Sequence, residues 1–376
     1  MSLNPLRSAK NVSKEWIQRM LSFYFKTKVE VLKFNSKLPS NTQGFLSEIS
    51  FLSVEYCLNN EIKSSKYVFK FLPTEDDLLS FIHQGGLAKR EVDFYRFAQS
   101  ETFKSVCEAS AIKRLVPTVL YSCLDQSALT IVMEDLREDN YELVLNRDGS
   151  TLVETQAALC AIAHVHAAGI IYQQKHGRHE LDVPTDNSFY DQFLIPNLKF
   201  LADRADIDSQ RQKNMLHLIQ FTEQMRMWPL RYPLFDTVIH GDLWAAQTLF
   251  SPNRTAACIL DWQFSTIGNP VIDIQAMFFM SSDPVALDEH LEEVLFAYWR
   301  TFSDCLKKHE VKCPVSYNQF KSNVENMWIC GFMFFAVSIH DFIKGDSISE
   351  KRLEGQLQFL EKRDVFSNFF LNCENF

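Results

Sequence analysis

The stretch that decides the fold is VIHGDLWAAQTLFSPNRTAACILDWQFS, residues 238–265. It holds two aspartates, Asp242 and Asp261, and each stands where an apolar run ends. The turn-like SPNRT between two apolar runs predicts a hairpin, which would bring the strand ends close together. Two carboxylates in such a place suit a hard divalent cation and a base for a hydroxyl group. Either aspartate alone is more commonly a cap of a strand end or a turn, so the rest of the chain has to support the pair.

The composition is that of a globular protein. The chain has 376 residues, 46% hydrophobic and 23% charged, with 32 phenylalanines, which suffices for two ordinary domains or one two-lobed unit. The net charge of −9 argues against a nucleic-acid surface, which needs clustered Lys and Arg.

The cysteines and the N-terminus indicate a cytoplasmic protein. Nine cysteines lack CxxC spacing, and most lie inside apolar runs, as reduced intracellular thiols do. The first residues, MSLNPLRSAKNVSKEW, contain no apolar h-region, so we expect no secretory signal. The longest apolar run, MWICGFMFFAVSI from Met327, is shorter than the roughly 20 residues that a membrane-spanning helix needs, so we expect no membrane span.

The first part of the chain predicts a small sheet with helices. SKEWIQRMLSFYF has helical spacing, and GFLSEISFLSVEYCL and SSKYVFKFLP predict an antiparallel hairpin. LAKREVDFYRFAQS predicts the next helix, and VPTVLYSCL and ALTIVMEDL predict two strands joined by DQS.

The second part predicts helices. TLVETQAALCAIAHVHAAGII predicts a buried helix, residues 175–190 a loop, and residues 190–228 and those beyond Pro284 further helices. We therefore expect an α+β fold with an N-terminal lobe, residues 1–137, and a C-terminal lobe, residues 138–376.

Two motifs resemble those of a known family. HGDLWAAQ is similar to the catalytic loop of the protein-kinase-like fold, and ILDWQ is similar to its metal-binding D-F-G element. The H-G-D start resembles the choline-kinase and aminoglycoside-phosphotransferase branch. HGDLW and DWQ resemble the ecdysteroid-kinase-like, or CHK-kinase-like, family and its nematode-rich subgroup. The resemblance implies a two-lobed kinase-like fold with a small antiparallel-β N-lobe and a larger, mainly helical C-lobe.

The resemblance implies an ATP site in the N-lobe. Lys70 in KYVFKFLP matches the lysine that holds the α- and β-phosphates, and Glu91 in KREVDFY matches the glutamate that orients it. Phe69 and Phe71 would point to the other face of the strand. Lys66, on the same strand, is the competing candidate.

Two further segments of the N-lobe resemble parts of that site. Gly44 and Ser47 in NTQGFLSEISF are similar to the phosphate-covering loop, although a single glycine more often marks only a turn. In LTIVMEDL the backbone of Glu134 and Leu136 would hydrogen-bond the adenine, with Met133 packing on it. An acidic strand end is the alternative interpretation of this segment alone.

In the C-lobe the resemblance implies the chemistry of transfer. Asp242 would orient the acceptor hydroxyl and take its proton, and Asp261 would coordinate Mg²⁺. His240 and Asp273 would be structural supports of the loop. Gln247 stands where the family has Asn, and its amide oxygen sits on a stem one methylene longer. It could bind the metal directly or through water, or shift a second metal site.

These implications favour an ATP- and Mg²⁺-dependent kinase for a hydroxyl of a small lipophilic (steroid-like) or amino-alcohol acceptor. A weak or inactive nucleotide-binding pseudokinase is the alternative, because of Gln247. A protein kinase is disfavoured, since the chain has no H-R-D loop, D-F-G triplet or A-P-E sequence. Six aromatic side chains are candidates for the acceptor wall, although such residues at helical spacing are usually core: Trp244, Trp262, Trp299, Trp328, Phe332 and Phe335.

Overall fold

The N-terminal hairpin grows into a five-stranded antiparallel sheet, as seen in a computed structural model. The structure describes residues 3–39, 46–177, 179–182, 191–206, 209–343 and 345–373, without the side chains of residues 341 and 342. The chain divides into two compact units. The first comprises Met1–Ser100, Val116–Glu142 and Leu260–Phe264, and the second comprises Glu101–Leu115, Leu143–Ile259 and Ser265–Phe376.

The first unit is the sheet, in the strand order β1-β2-β3-β5-β4, with three α-helices and short 3-10 helices. The strands are β1 (Val29–Lys37), β2 (Glu48–Leu58), β3 (Glu61–Phe71), β4 (Val119–Leu124) and β5 (Leu129–Glu134), and the α-helices are α1 (Lys14–Phe25), α2 (Asp76–Gly85) and α3 (Leu87–Ala98). The 3-10 helices are Ala9–Asn11, Leu136–Asp139 and Trp262–Phe264. The two-residue strand β6 (Glu142–Leu143) spans the point where the chain passes from the first unit to the second.

Strand alternation sorts the side chains of the sheet onto two faces. One face packs on α1, whose first turn is capped by the Ser13 hydroxyl. That face carries the core residues Leu52, Val54, Tyr56, Tyr67, Phe69, Phe71 and Val132, in contact with Trp16, Ile17, Met20 and Leu21 of α1. The register pairs Ile49 with Lys70 and Val68 with Met133. These four side chains therefore share the opposite face, and Phe69 and Phe71 point away from Lys70 as expected.

The second unit is mainly helical. Its longest buried helix is α5, which begins with a capping box of Thr151 and Glu154. The helices are α4 (Glu101–Ala109), α5 (Leu152–His176), α6 (Asp191–Arg204), α7 (Gln210–Leu218), α8 (Thr222–Arg231), α9 (Val271–Met280), α10 (Pro284–Lys308), α11 (Tyr317–Asn326), α12 (Trp328–Val337), α13 (Ile339–Phe342), α14 (Ser347–Glu361) and α15 (Val365–Cys373). The short strands are β7 (Thr237–Ile239), β8 (Thr248–Phe250), β9 (Ala257–Ile259) and β10 (Thr266–Gly268), with 3-10 helices at Ile219–Phe221 and Ala245–Gln247.

Helix α5 packs closely on β7 in the centre of this unit. A Cβ at Gly169 would lie 2.7 Å from the backbone nitrogen of Val238, so only glycine fits there. Among the described residues, α5 is the one helix long and apolar enough to cross a membrane, yet 72% of its most apolar window is buried in the structure. Such burial is that of a core helix, as the sequence pattern predicted.

One strand pairing differs from the prediction. The SPNRT turn joins β8 to β9, whereas β7, which precedes Asp242, pairs with β10. The expected hairpin between the strands that precede Asp242 and Asp261 is therefore wrong. The reason is that the chain leaves β7 at His240, and Asp273 takes up the backbone N–H groups of His240 and Gly241. The loop between β7 and β8 then ends in a 3-10 turn instead of continuing as a strand.

The remaining predictions of secondary structure can be compared with the observed elements one by one. The α+β class, with an antiparallel-β N-terminal part and a mainly helical C-terminal part, is confirmed. The sequence pattern did not predict β1, α2 or α4. Of the predicted loop at 175–190, α5 extends to His176, and residues 178 and 183–190 lie outside the described residues. The lobe boundary at residue 137 stays a prediction.

Candidate active site

A buried ionic cluster lies in the first unit on the face of the sheet opposite α1. The Lys70 Nζ atom lies 2.9 Å and 2.8 Å from the two carboxylate oxygens of Glu91, and 2.5 Å from Asp261 Oδ1. Lys70 is only 4% exposed and Glu91 only 1%. The structure thus brings together three residues that are far apart in sequence. Lys66, the competing lysine, instead pairs with Glu138 at the surface.

The pKa values of Lys70 and Glu91 are shifted in this cluster. Burial alone would lower the pKa of Lys70, but the carboxylates of Asp261 and Glu91 outweigh it and raise that pKa above its ordinary value. Burial raises the pKa of Glu91 to about 7, against the opposing effect of the Lys70 ammonium. Lys70 is therefore a permanent cation in this site.

Asp261 is held in an uncommon backbone conformation. Its φ is +57°, in the left-handed region that non-glycine residues seldom adopt. The next residue, Trp262, stacks face to face on Phe94 of α3, with ring centroids 3.5 Å apart and planes 4° apart. Phe94 and Glu91 lie one turn apart on the same helix. Helix α3 therefore contacts the Asp261 segment directly through the Phe94–Trp262 stack, and Glu91 is linked to Asp261 by way of Lys70 of β3.

The face of the sheet that carries Lys70 also carries apolar side chains that were not among the predicted site residues. By register, Ile49 and Phe51 of β2 and Val68 of β3 lie on this face, and all three are half-buried. The guanidinium of Arg137 lies 3.9 Å from the centre of the Phe51 ring. Strand alternation in β2 was the signal that could have found Ile49 and Phe51.

The predicted base-binding segment lies at the end of β5. Met133 is buried on the Lys70 face. The backbone N–H of Glu134 donates to the Thr118 carbonyl, and the Leu136 carbonyl accepts from Tyr141. The predicted contact of a base with the backbone of Glu134 and Leu136 stays a prediction.

The predicted phosphate-covering loop is described only at its end. Ser47 is half-buried and directly precedes β2. Gly44 lies outside the described residues.

In the second unit, the loop HGDLWAAQ is supported by Asp273 of α9. The Asp273 carboxylate accepts the backbone N–H groups of His240, at 2.7 Å, and of Gly241, at 2.8 Å. Gly241 has a φ of +81°, which glycine adopts without strain. The ring of the fully buried His240 accepts from the N–H of Asp242 through Nδ1, at 3.2 Å. The backbone around Asp242 is thus fixed from both sides.

A buried relay extends this support to two more helices. His166 of α5 lies 3.1 Å from Asp273 Oδ2 through Nε2 and 2.7 Å from the Tyr298 hydroxyl of α10 through Nδ1. All three side chains are fully buried. The Asp273 carboxylate accepts from Nε2 of His166, and Nδ1 and the Tyr298 hydroxyl share the second hydrogen bond, whose direction depends on the tautomer. No local sequence signal points to this contact, since the partners are far apart along the chain.

Gln247 ends the 3-10 turn of the same loop. Its backbone N–H donates to the Trp244 carbonyl at 2.9 Å. The side chain is half-buried, and its amide oxygen is a hard donor of the kind that Mg²⁺ prefers.

Most of the aromatic candidates for an acceptor wall are core residues. Trp262 is stacked on Phe94, and Trp328, Phe332 and Phe335 are buried. Trp299 packs with Phe296 and Tyr317 near the surface of α10. Trp244, two residues after Asp242 in the loop, is half-buried.

Comparison with known proteins agrees with these motifs. The model of the ecdysteroid kinase-like family matches residues 41–311. A search of curated protein sequences found no match.

This chain is also similar to several solved structures at low sequence identity. Ethanolamine kinase from Plasmodium vivax is 11% identical with a TM-score of 0.44, over 89% of this chain and 84% of that chain. A choline/ethanolamine kinase family protein from Mesorhizobium loti is 10% identical with a TM-score of 0.42, over 89% and 91%. Aminoglycoside phosphotransferase from Alicyclobacillus acidocaldarius is 11% identical with a TM-score of 0.42, over 90% and 93%.

The family match covers more than half of the chain and includes Lys70, Glu91, HGDLWAAQ and DWQ. The protein belongs to the ecdysteroid kinase-like family.

Proposed function

We propose that this protein is a small-molecule kinase that uses ATP and Mg²⁺ to phosphorylate a hydroxyl group. The observation that carries the proposal is the buried cluster of Lys70, Glu91 and Asp261. A buried cation between two acids is costly to keep, and phosphoryl transfer is a reaction that needs a charge positioned in this way. Membership in the ecdysteroid kinase-like family supports the same chemistry.

The first unit supplies a surface that suits a nucleotide. The half-buried Ile49, Phe51 and Val68 would pack against the base, beside Met133. Lys70, held by Glu91, would neutralise negative charge on the phosphates. Ser47 and the backbone at the start of β2 would approach the same phosphates. An apolar strip next to a fixed ammonium is the combination that an adenine base and its phosphates require.

The metal would be held by oxygen donors. Asp261 is the first candidate ligand and Gln247 the second, and in nucleotide sites Mg²⁺ is bound by one or two such side chains together with phosphates and water. When bound, Mg²⁺ neutralises charge on the phosphoryl oxygens. Lys70 lies 2.5 Å from Asp261 Oδ1 and so restrains the carboxylate that would bind the metal.

Asp242 would act on the acceptor. Its carboxylate would accept a hydrogen bond from the acceptor hydroxyl and orient the oxygen toward the γ-phosphorus. As the new O–P bond forms and the bond to the β-phosphate oxygen breaks, the hydroxyl proton passes to Asp242. His240 and Asp273 keep the loop in place during this step.

The acceptor would be a small lipophilic alcohol, steroid-like in the sense of the family name, or an amino-alcohol. Trp244, two residues after Asp242, would form part of its wall. An indole packs on apolar ring systems and also attracts a quaternary ammonium. A metabolite panel therefore needs both classes.

The test is phosphotransfer from ATP in the presence of Mg²⁺ to a panel of lipophilic alcohols and amino-alcohols. We expect turnover with at least one class, and Asp242→Asn should lower kcat by about 10²- to 10⁴-fold because it removes the general base. Mg²⁺-dependent binding of a nucleotide should persist in this variant. Asp236→Asn, which changes an exposed aspartate just before β7, is the matched control and should leave kcat unchanged.

Two outcomes would overturn this function. Nucleotide binding without any turnover, even in Gln247→Asn, would favour the nucleotide-binding pseudokinase. Phosphorylation of peptides but of no metabolite would favour a protein kinase.

We also propose a cytoplasmic location. All nine cysteines are free thiols, and each is buried or half-buried. Reduced thiols of this kind are usual in the reducing interior of cells.

A further inference from the structure

Both ends of helix α9 contact the loop HGDLWAAQ. Near its start, Asp273 accepts the N–H groups of His240 and Gly241. Directly after its end, the hydroxyl oxygen of Ser281 accepts the backbone N–H of Ala245 at 2.6 Å, in a buried hydrogen bond. The first contact fixes the loop before Asp242, and the second fixes it after Asp242.

The second contact holds the turn that carries Gln247. Ala245 begins the 3-10 turn, and Gln247 ends it with an N–H bond to the Trp244 carbonyl at 2.9 Å. The Thr248 hydroxyl donates to the same carbonyl at 3.1 Å. Because these bonds close the turn on itself, Ala245 and Gln247 move together, and the position of Ala245 determines that of Gln247.

Ser281 itself stands on a fixed backbone. Its N–H donates to Met277 of α9 at 3.1 Å, and its carbonyl accepts the N–H of Ser150 at 2.6 Å. The preceding carbonyl, of Met280, accepts the buried guanidinium of Arg352 from α14 at 2.7 Å. The hydroxyl of Ser281 therefore stands on a backbone that hydrogen bonds hold in place on both sides.

We propose that Ser281 is a positioning residue, whose hydroxyl fixes the turn that presents the Gln247 amide to the metal. The inference rests on the proposed function, because the role of Gln247 as a ligand belongs to it. Glutamine has one more rotatable bond than the asparagine of the family pattern and loses more conformational freedom when it binds. A fixed backbone at this turn is therefore needed more here than with asparagine.

The adjacent serine provides a matched control. Ser281 is 3% exposed and Ser282 is 1% exposed. The hydroxyl of Ser282 bonds to Thr155 at 3.1 Å and to the Met277 carbonyl at 3.2 Å, and so serves the helix end and not the loop. Ser281→Ala and Ser282→Ala each remove one buried hydroxyl from the same site, but only the first removes the bond to Ala245.

Two measurements on the full chain test the proposal. In Ser281→Ala we expect amide exchange of the segment 240–250 to rise about tenfold, since a closed local structure opens. We expect kcat to fall about 10- to 100-fold through misplacement of the turn. The Mg²⁺ concentration for half-maximal rate should rise several-fold, while KM for ATP stays within about twofold. Ser281→Thr, which keeps a hydroxyl, should restore both, and Ser282→Ala should change neither.

The outcomes separate this proposal from the proposed function. If the wild-type protein shows no phosphotransfer, the proposed function fails. The positioning role is then judged by amide exchange and by the Mg²⁺ requirement for binding a non-hydrolysable ATP analogue. Equal effects of Ser281→Ala and Ser282→Ala, or faster exchange with an unchanged Mg²⁺ requirement, would overturn the proposal. If Ser281→Ala does not fold, Ser281→Thr with wild-type exchange and Mg²⁺ requirement supports it, and a shift in either measurement overturns it.

Discussion

At the scale of single residues, Lys70 supplies the positive charge that lies between Glu91 and Asp261. Its ammonium lies within 2.9 Å of carboxylates from Glu91 and Asp261. We predict that Lys70→Met lowers the free energy of unfolding by about 3–5 kcal/mol, because it leaves the buried Glu91 carboxylate uncompensated. Urea unfolding followed by circular dichroism measures this change.

Two variants make that prediction specific. Adding Glu91→Gln to Lys70→Met should recover much of the stability, since no unpaired carboxylate then remains at that position, but should not recover activity. Lys66→Met removes a lysine that is 55% exposed and pairs at the surface, so its cost should stay below about 1 kcal/mol. A similar loss in the two single variants would show that Lys70 has no special role.

At the scale of elements, the relay from Tyr298 through His166 to Asp273 joins α10, α5 and α9. We predict that Tyr298→Phe destabilises the protein by about 1–3 kcal/mol, because Nδ1 of His166 loses its hydrogen-bond partner in a buried site. Tyr317→Phe removes a hydroxyl that bonds to Glu292 at the surface, where water replaces it, and should cost less than about 1 kcal/mol. Urea unfolding compares the two variants, and equal losses would contradict the relay.

A second pair of elements, α7 and α14, is joined by Arg211 and Glu354. The hydrogen bonds from Arg211 lower the pKa of Glu354 below its ordinary value, against the opposing effect of burial. Since the folded state binds this proton less tightly than the unfolded state, the contribution to stability is present at neutral pH. It is lost as the pH falls below the ordinary value for glutamate and through the folded pKa.

We therefore predict a pH-dependent effect of Arg211→Ala. At pH 7 the variant should be less stable than the wild type by about 1 kcal/mol, a value that allows for partial exposure of the pair. At about pH 3 the difference should largely vanish. Thermal unfolding at several pH values measures this, with Arg300→Ala, which changes an exposed arginine of α10, as the control. A difference that grows toward low pH would refute the assignment.

At the scale of the whole molecule, ligand binding should increase the free energy of unfolding. A ligand that binds only the folded state adds about 2.7 kcal/mol at one hundred times its dissociation constant. We predict that a non-hydrolysable ATP analogue with Mg²⁺ raises the unfolding temperature of the wild type, and that EDTA weakens the effect. Lys70→Met should lose the shift. An equal shift in that variant would place the nucleotide elsewhere.

The sequence predicted much of this molecule because its signals are local. Alternation in β2 and β3, the helical spacing of α3 and the motifs HGDLW and DWQ all lie within short windows. The pairing of β7 with β10 was missed, because short strands carry little pattern and the choice of partner depends on distant contacts. The same holds for the contact of His166 with Tyr298 and for that of Ala245 with Ser281. Burial, which separates Trp262 and Trp328 from Trp244, likewise arises only in the folded chain.

The two attachments of α3 to the Asp261 segment have a consequence for variants that lack the residues of the proposed activity. Glu91 acts through charge, by way of Lys70, and Phe94 acts through a ring stacked on Trp262. These attachments respond to different substitutions, so a descendant that lost Lys70 and Glu91 together would still keep the helix against the segment. Such a protein would keep the fold but would lack two of the residues that the proposed phosphoryl transfer requires. In this lineage, preserved shape alone would not be proof of an active enzyme.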